Sequence, residues 1–326
     1  MINHCMETIR YFITIPNIPF KKDNCCILAS VSIRYVQHKD IDFSRWDDAI
    51  ASASNAMVYA ESWFLKATTD KHWDALIDGD YSAVMPLPFN RKLLGYHQIF
   101  QPFFTQQLGV FSKSNEIDVQ PFIDAIPHKF KRLHYHFNHQ NDVNALDTKT
   151  NLVIDLNKGY EEIESQFSKS LRKRIRQNEQ LQLWEKGDVG ELIRFYKEAL
   201  ETKVQLGAAG YALAERLFTE AIQRKAATIY QLIDKGNIIA CGIFFHKHGR
   251  IINVFAASDA LNKNAMSVFI ARIMEKHSNS DVLFDFEGSE IPGIQQYFKS
   301  FGSVEQNYPA LRKNELPFWL KIVRPN

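Results

Sequence analysis

The sequence predicts an α+β protein of two similar halves, each a mixed, mostly antiparallel sheet flanked by helices. Three observations carry this. A chain of 326 residues is too long for one comfortable core and suits two domains of roughly 150 residues. The periodicities run helix, helix, antiparallel strands, helix, strand, helix, strand, which is a layered α+β order and not a doubly wound one. A short pattern also recurs about half a chain apart. Leu76, Ile77 and Asp78 before Gly79 resemble Leu232, Ile233 and Asp234 before Lys235 and Gly236, each in a strand, tight turn, long strand unit.

In the first half, Ser32 to Gln37 alternates as a strand. In Asp40 to Ala53 the residues Ile41, Trp46, Ala49 and Ile50 give a helix one apolar face. A second helix starts at Ser62 and a strand covers Trp73 to Ile77. The aromatic and β-branched tract from Tyr81 to Phe111, punctuated by Asn90, Gly95 and Gly109, reads as antiparallel strands. Ile117 to Ile126 returns to helix and Lys131 to Phe137 to strand.

The second half opens with a strand at Leu152 to Leu156 and a helix at Tyr160 to Glu179. A strand follows at Leu181 to Trp184. Asp188 caps an amphipathic helix running to Gln205, and another helix covers Ala212 to Arg224. Three strands follow at Thr228 to Ile233, Ile238 to His246 and Ile251 to Ala256. A helix at Asn264 to His277, a strand at Val282 to Phe286, a short helix at Pro292 to Phe301 and a strand near Ser303 to Leu311 complete the half. The expected organisation is an N-terminal extension at 1–30, a first domain at 31–150, and a second domain at 151–326 carrying the active site.

Composition narrows the function classes. With 45% hydrophobic and 23% charged residues the chain is of globular type. A net charge of +2 gives no whole-molecule attraction to nucleic acid or anionic membrane, so any basic site must be local. Cys5, Cys25, Cys26 and Cys241 form neither a disulfide framework nor a zinc set, which fits a cytoplasmic setting. No apolar run approaches the ~18 residues of a membrane span. GxGxxG, GxxxxGKS and GxSxG are all missing from the sequence.

Three ordered segments then carry a family resemblance: FSKSLRKRIRQNEQ at Phe167 to Gln180, YQLIDKGNIIACGIFF at Tyr230 to Phe245, and LFDFEGSEIPGIQQYFKSFG at Leu283 to Gly302. They resemble the GNAT superfamily, in its FemABX-like and related N-acetyltransferase branch, and cover most of residues 151–326. IDFSRWDDAI, YAESWFL and QPFFTQQLGVFS resemble the first half of tandem GNAT proteins more faintly. The resemblance implies two tandem GNAT-like domains and an N-acyltransferase that moves an acyl group, acetyl above all, directly to an amine of a small molecule or peptide. Acetyl-CoA or another acyl-CoA is the commonest donor and aminoacyl-tRNA the donor of the peptidyl transferase branch. Two alternatives stand beside acyl-CoA transfer: an aminoacyl-tRNA-dependent peptidyl transferase, and a degenerate tandem fold used for binding.

The sequence departs from the resemblance at one loop. The family's glycine-rich pyrophosphate loop corresponds to SDALNKNAMS, Ser258 to Ser267, which has no glycine. Asn264 as a helix cap and Lys263 as added positive charge are the residues left to hold phosphate there. The resemblance further implies that backbone N–H groups of a splayed strand at Val254, Phe255, Ala256 and Ala257 would hold the oxyanion.

Candidate side chains follow from chemistry. Lys169, Arg172, Lys173 and Arg176 fall at i, i+3, i+4 and i+7, so one helix face carries four cations and suits a phosphate. The structural alternative is a solvated face neutralised by Glu161, Glu162 and Glu164. Asp285 and Glu287 alternate beside Phe284 and Phe286 and point the same way. An amine acceptor needs a base, and Glu287 is the favoured one, with Asp285 its neighbour. Asp285 capping the Gly288 turn is the alternative. Tyr308 would return a proton to the leaving group, and Lys299 would meet phosphate. His134 and His136 share a strand face and His139 follows, yet no full zinc set declares itself, so no metal is expected. Cys241 reads as a buried, inert thiol.

Overall fold

The computed structural model describes residues 33–91, 96–144, 147–200 and 206–317. The expected extension at 1–30 lies outside the described residues. The described residues fall in one compact unit.

Elements follow in chain order. The first run is β1 (Ile33–Val36), α1 (Phe43–Ser52), α2 (Ser62–Thr69), β2 (Trp73–Asp78), β3 (Ala83–Arg91), β4 (His97–Ile99), β5 (Phe111–Ser112), α3 (Gln120–Asp124), β6 (Phe130–His136) and β7 (Asp147–Lys149). Next come β8 (Leu152–Asp155), α4 (Tyr160–Ser165), α5 (Lys169–Arg176), β9 (Gln182–Trp184), α6 (Val189–Leu200), α7 (Gly207–Gln223), β10 (Ala227–Asp234) and β11 (Asn237–Lys247). The chain closes with β12 (Arg250–Ser258), α8 (Ala265–Lys276), β13 (Leu283–Asp285), α9 (Pro292–Lys299), β14 (Val304–Glu305) and β15 (Tyr308–Asn314).

Local chemistry sets several boundaries. Asp42 starts α1 by accepting from the backbone N–H groups of Ser44 and Arg45 at 3.1 and 3.2 Å. Asp188 does the same for α6, accepting from Glu191 N–H at 2.8 Å. The helix expected over Tyr160 to Glu179 is broken after Ser165, because Ser168 turns extended and caps α5 through Leu171 N–H at 3.3 Å. Leu171 and Ile175 are its buried stripe, so the cationic face looks outward.

Two mixed, mostly antiparallel sheets result. The first runs β1-β2-β3-β4-β6-β15-β7, with β5 on β3, and the second runs β14-β8-β13-β12-β11-β10-β9. The strand expected near Ser303 to Leu311 divides: Val304–Glu305 pairs with β8 of the second sheet, whereas Tyr308–Asn314 crosses to pair with β6 and β7 of the first. Sequence period cannot register this, since partner choice depends on which edge is open after the helices pack. The repeated Leu-Ile-Asp patterns occupy matching places, at the ends of β2 and β10 before an antiparallel return.

The central strands of the second sheet are buried on both faces, which explains the unbroken apolar run Ile238 to Phe245. One face packs against α4, α5, α8 and α9 residues. The other shares a core with the first half, where Trp63 stacks on Phe245 and Phe104 meets Phe218 and Phe255 edge-on. Cys241 is buried mid-sheet and its thiol is pushed up to about 12 by burial, an inert form. No helix among the described residues is long and apolar enough to cross a membrane.

Candidate active site

The strands β12 and β13 run parallel but pair only over Arg250 to Ile252 and Leu283 to Asp285. Beyond that point β12 continues to Ser258 against β11 alone. Its other edge, over Val254 to Ala257, is therefore open where the two strands part. Phe255 and Ala257 are buried, and Phe255 stacks on Tyr196 with ring centroids 3.6 Å apart.

Glu287 stands two residues past the last pair. Phe286 N–H is tied to Leu152 O at 3.0 Å, and the chain then makes a left-handed turn with φ of 59° at Glu287 and 63° at Gly288. A Cβ at residue 288 would lie 2.1 Å from Thr150 O, so only glycine fits. The turn aims the Glu287 side chain at the first half, where the Tyr59 hydroxyl donates to its carboxylate. Gln106 donates to Glu287 O and, at 3.2 Å, to Asn151 Oδ1. Bulky residues held at positive φ cost free energy and mark places where surrounding structure dictates the backbone.

Asp285 is wholly buried beneath this turn. Arg250 donates to its Oδ2 at 2.7 Å and Glu287 N–H donates to its Oδ1 at 2.8 Å. Arg250 also holds Gln306 Oε1 at 2.7 Å. Both Asp285 oxygens are thus occupied, and its charge acts on Glu287 through space. Burial raises the Glu287 carboxyl to about 8, the Tyr59 hydrogen bond opposes that rise, and the Asp285 charge adds to it.

Tyr308 on β15 is buried and its ring lies 5.6 Å from that of His136. Burial first, and then the Glu287 charge, push its phenol well up, so it stays protonated. His136 and His139 are neutral, both lowered to about 4 by burial, with His134 and Arg250 respectively adding repulsion. His136 Nε2, His139 Nδ1 and Asn151 Nδ2 are buried without a hydrogen-bond partner among the described residues. No group of three His, Cys, Asp or Glu among the described residues has a metal-binding arrangement.

The remaining sequence candidates lie elsewhere. Lys169, Arg172, Lys173 and Arg176 line a surface cleft of about 540 Å³. Arg176 is 3.8 Å from Glu164, and Lys169 and Lys173 have no ion pair among the described residues. Lys299 is engaged with Glu305 at 2.6 Å on the surface. Lys263 is exposed, and Asn264 precedes α8 without any side-chain capping bond. Asp259 organises that loop instead, accepting from Leu261 N–H and the Asn262 amide, both at 2.9 Å. A carboxylate in place of glycine does not fit a pyrophosphate there.

Sequence reasoning missed Tyr59, Gln106, Asn151 and Arg250. Gln106 and Gln107 inside an aromatic tract, and Arg250 at the head of an apolar strand, were signals of buried polar service. Tyr59 carried none.

No family model matches the sequence, and no curated relative does. Among solved structures, FemX aligns with 88% of this chain and 99% of its own at 11% identity and a TM-score of 0.63. A conserved protein of unknown function from Bacteroides thetaiotaomicron covers 87% of this chain and 100% of its own, at 11% identity and 0.57. The C-terminal domain of a putative lysylphosphatidylglycerol synthetase from Agrobacterium fabrum covers 84% and 91%, at 11% identity and 0.51. At such identity the likeness is one of fold alone, and the fold of this chain is similar to that of FemX.

Proposed function

We infer that the protein transfers an acyl group directly to an amine at the parting of β12 and β13. The observation that carries this reading is Glu287, a half-buried carboxyl that accepts from the Tyr59 hydroxyl across the seam between the halves and is raised to about 8. A base poised near neutral pH suits removal of a proton from an ammonium group. Glu287 takes one proton from the ammonium group, the resulting amine attacks the acyl carbonyl, and the Tyr308 hydroxyl protonates the departing group and regains its proton from the N–H of the adduct. The open edge of Val254 to Ala257 offers N–H groups to the oxyanion. Asp285 and Arg250 position the turn.

Acyl-CoA is the donor in the first form of this reading. The second form, transfer from an aminoacyl ester of tRNA, is favoured by one contrast. The loop before α8 is organised by the Asp259 carboxylate in place of a glycine cradle, whereas Lys169 and Lys173 on α5 have no ion pair among the described residues. A binding module without activity is the third reading. A thermal-shift series with acetyl-CoA, longer acyl-CoAs, CoA and aminoacyl-tRNA separates them, since a ligand at 100 times its Kd stabilises by about 2.7 kcal/mol. Stabilisation by acyl-CoA supports the first form and by tRNA the second. Unchanged acyl transfer in Glu287→Gln would remove Glu287 from the mechanism.

A further inference from the structure

A second cavity lies away from Glu287, in a cleft of about 610 Å³ between α2 of the first half and α7 of the second. Sites for organic ligands commonly have this size. Its apolar surface comes from Phe43, which is 39% exposed, and from Trp63. Its charge comes from Lys66 and Lys71 on one wall and Arg216 on the other.

None of these three cations has an ion pair among the described residues, although Arg216 also donates to Ala67 O at 2.8 Å. Of the acids at the cleft, Glu220 is neutralised by Arg224 at 2.6 Å, which leaves Asp70 against three cations. His38, which also lines the cleft, has its Nδ1 buried without a partner among the described residues, and burial lowers its pKa. Converging unpaired cations over aromatic surface repel one another unless an anion joins them.

We propose that this cleft binds an organic anion whose flat apolar body packs on Phe43 and Trp63 while its phosphate or carboxylate meets Lys66, Lys71 and Arg216. The acyl-transfer reading is not needed for this inference, since no residue is shared with the Glu287 turn.

Isothermal titration calorimetry on the full chain at low ionic strength tests it with phenyl phosphate, phenylacetate, inorganic phosphate and benzyl alcohol. Phenyl phosphate or phenylacetate should bind saturably, at least tenfold more tightly than benzyl alcohol and inorganic phosphate, and the stronger of the two identifies the anionic group. The exposed double variant Lys66→Glu/Lys71→Glu, checked for an unchanged Tm, should weaken binding at least tenfold, and Phe43→Ala should weaken it independently. Glu287→Gln should leave it unchanged. Absence of saturable binding by both aryl anions, or equal affinity in the charge-reversed variant, would overturn the proposal.

Discussion

The Tyr59 hydroxyl donates to the Glu287 carboxylate, joining the first half to the turn that ends β13 in the second. This bond stabilises the charged carboxylate and works against the burial that raises it. Removing it in Tyr59→Phe should therefore push the Glu287 titration to higher pH. Under the proposed chemistry the rising limb of the pH–rate profile, centred near 8 in the wild type, should move upward by a measurable fraction of a unit.

Glu287→Gln should lower acyl transfer by roughly 10²- to 10⁴-fold, the usual contribution of a positioned base. The rising limb should vanish with it, while donor binding stays intact. Rates measured from pH 6 to 9, with binding in parallel, check both parts.

Stability should carry the same signature. The Glu287 carboxyl is raised on folding, so the folded state holds a proton that the unfolded chain releases above its ordinary value near 4.5. The stabilisation from this group is full below that value and is lost as pH rises to about 8. Denaturant melts of wild type and Glu287→Gln should diverge across this window, by at most about 1.4 kcal/mol per pH unit.

Arg250→Met should destabilise the fold by about 3 to 5 kcal/mol, because it strands the wholly buried Asp285 charge. Adding Asp285→Leu should recover part of that loss. Urea midpoints of the single and double variants form the test.

Charge reversal of Lys169 and Lys173 on α5 should leave stability within about 0.5 kcal/mol, since both are exposed and have no ion pair among the described residues. If tRNA is the donor, the same change should weaken binding and make it less salt-dependent, the slope falling by about 1 for each phosphate that a lysine no longer neutralises. Filter binding across a salt series distinguishes this from an unaltered protein.

Much of the fold was legible because its signals are local. Caps at Asp42 and Asp188, the meander β10 to β12 and the apolar stripe of α5 all follow from neighbouring residues and their spacing. The break after Ser165 was missed because apolar period continues through it while Ser168 competes for backbone donors. At the site, Glu287, Asp285 and Tyr308 were named from chemistry; Asp285 accepts from Glu287 N–H at 2.8 Å, and the Glu287 charge acts on the Tyr308 phenol. Lys299 and Asn264 stand apart from it: Lys299 is neutralised by Glu305, and the Asn264 side chain makes no capping bond.

The sequence by itself determined the element order, the layered α+β class and an outward cationic face on α5, since each depends on residues a few positions apart. Only the tertiary structure decided that β15 crosses to the first sheet, that Arg250 satisfies Asp285, and that Tyr59 meets Glu287 from 228 residues away. Such pairings arise when two cores close against each other and every buried charge must find a partner, a condition that no local pattern encodes.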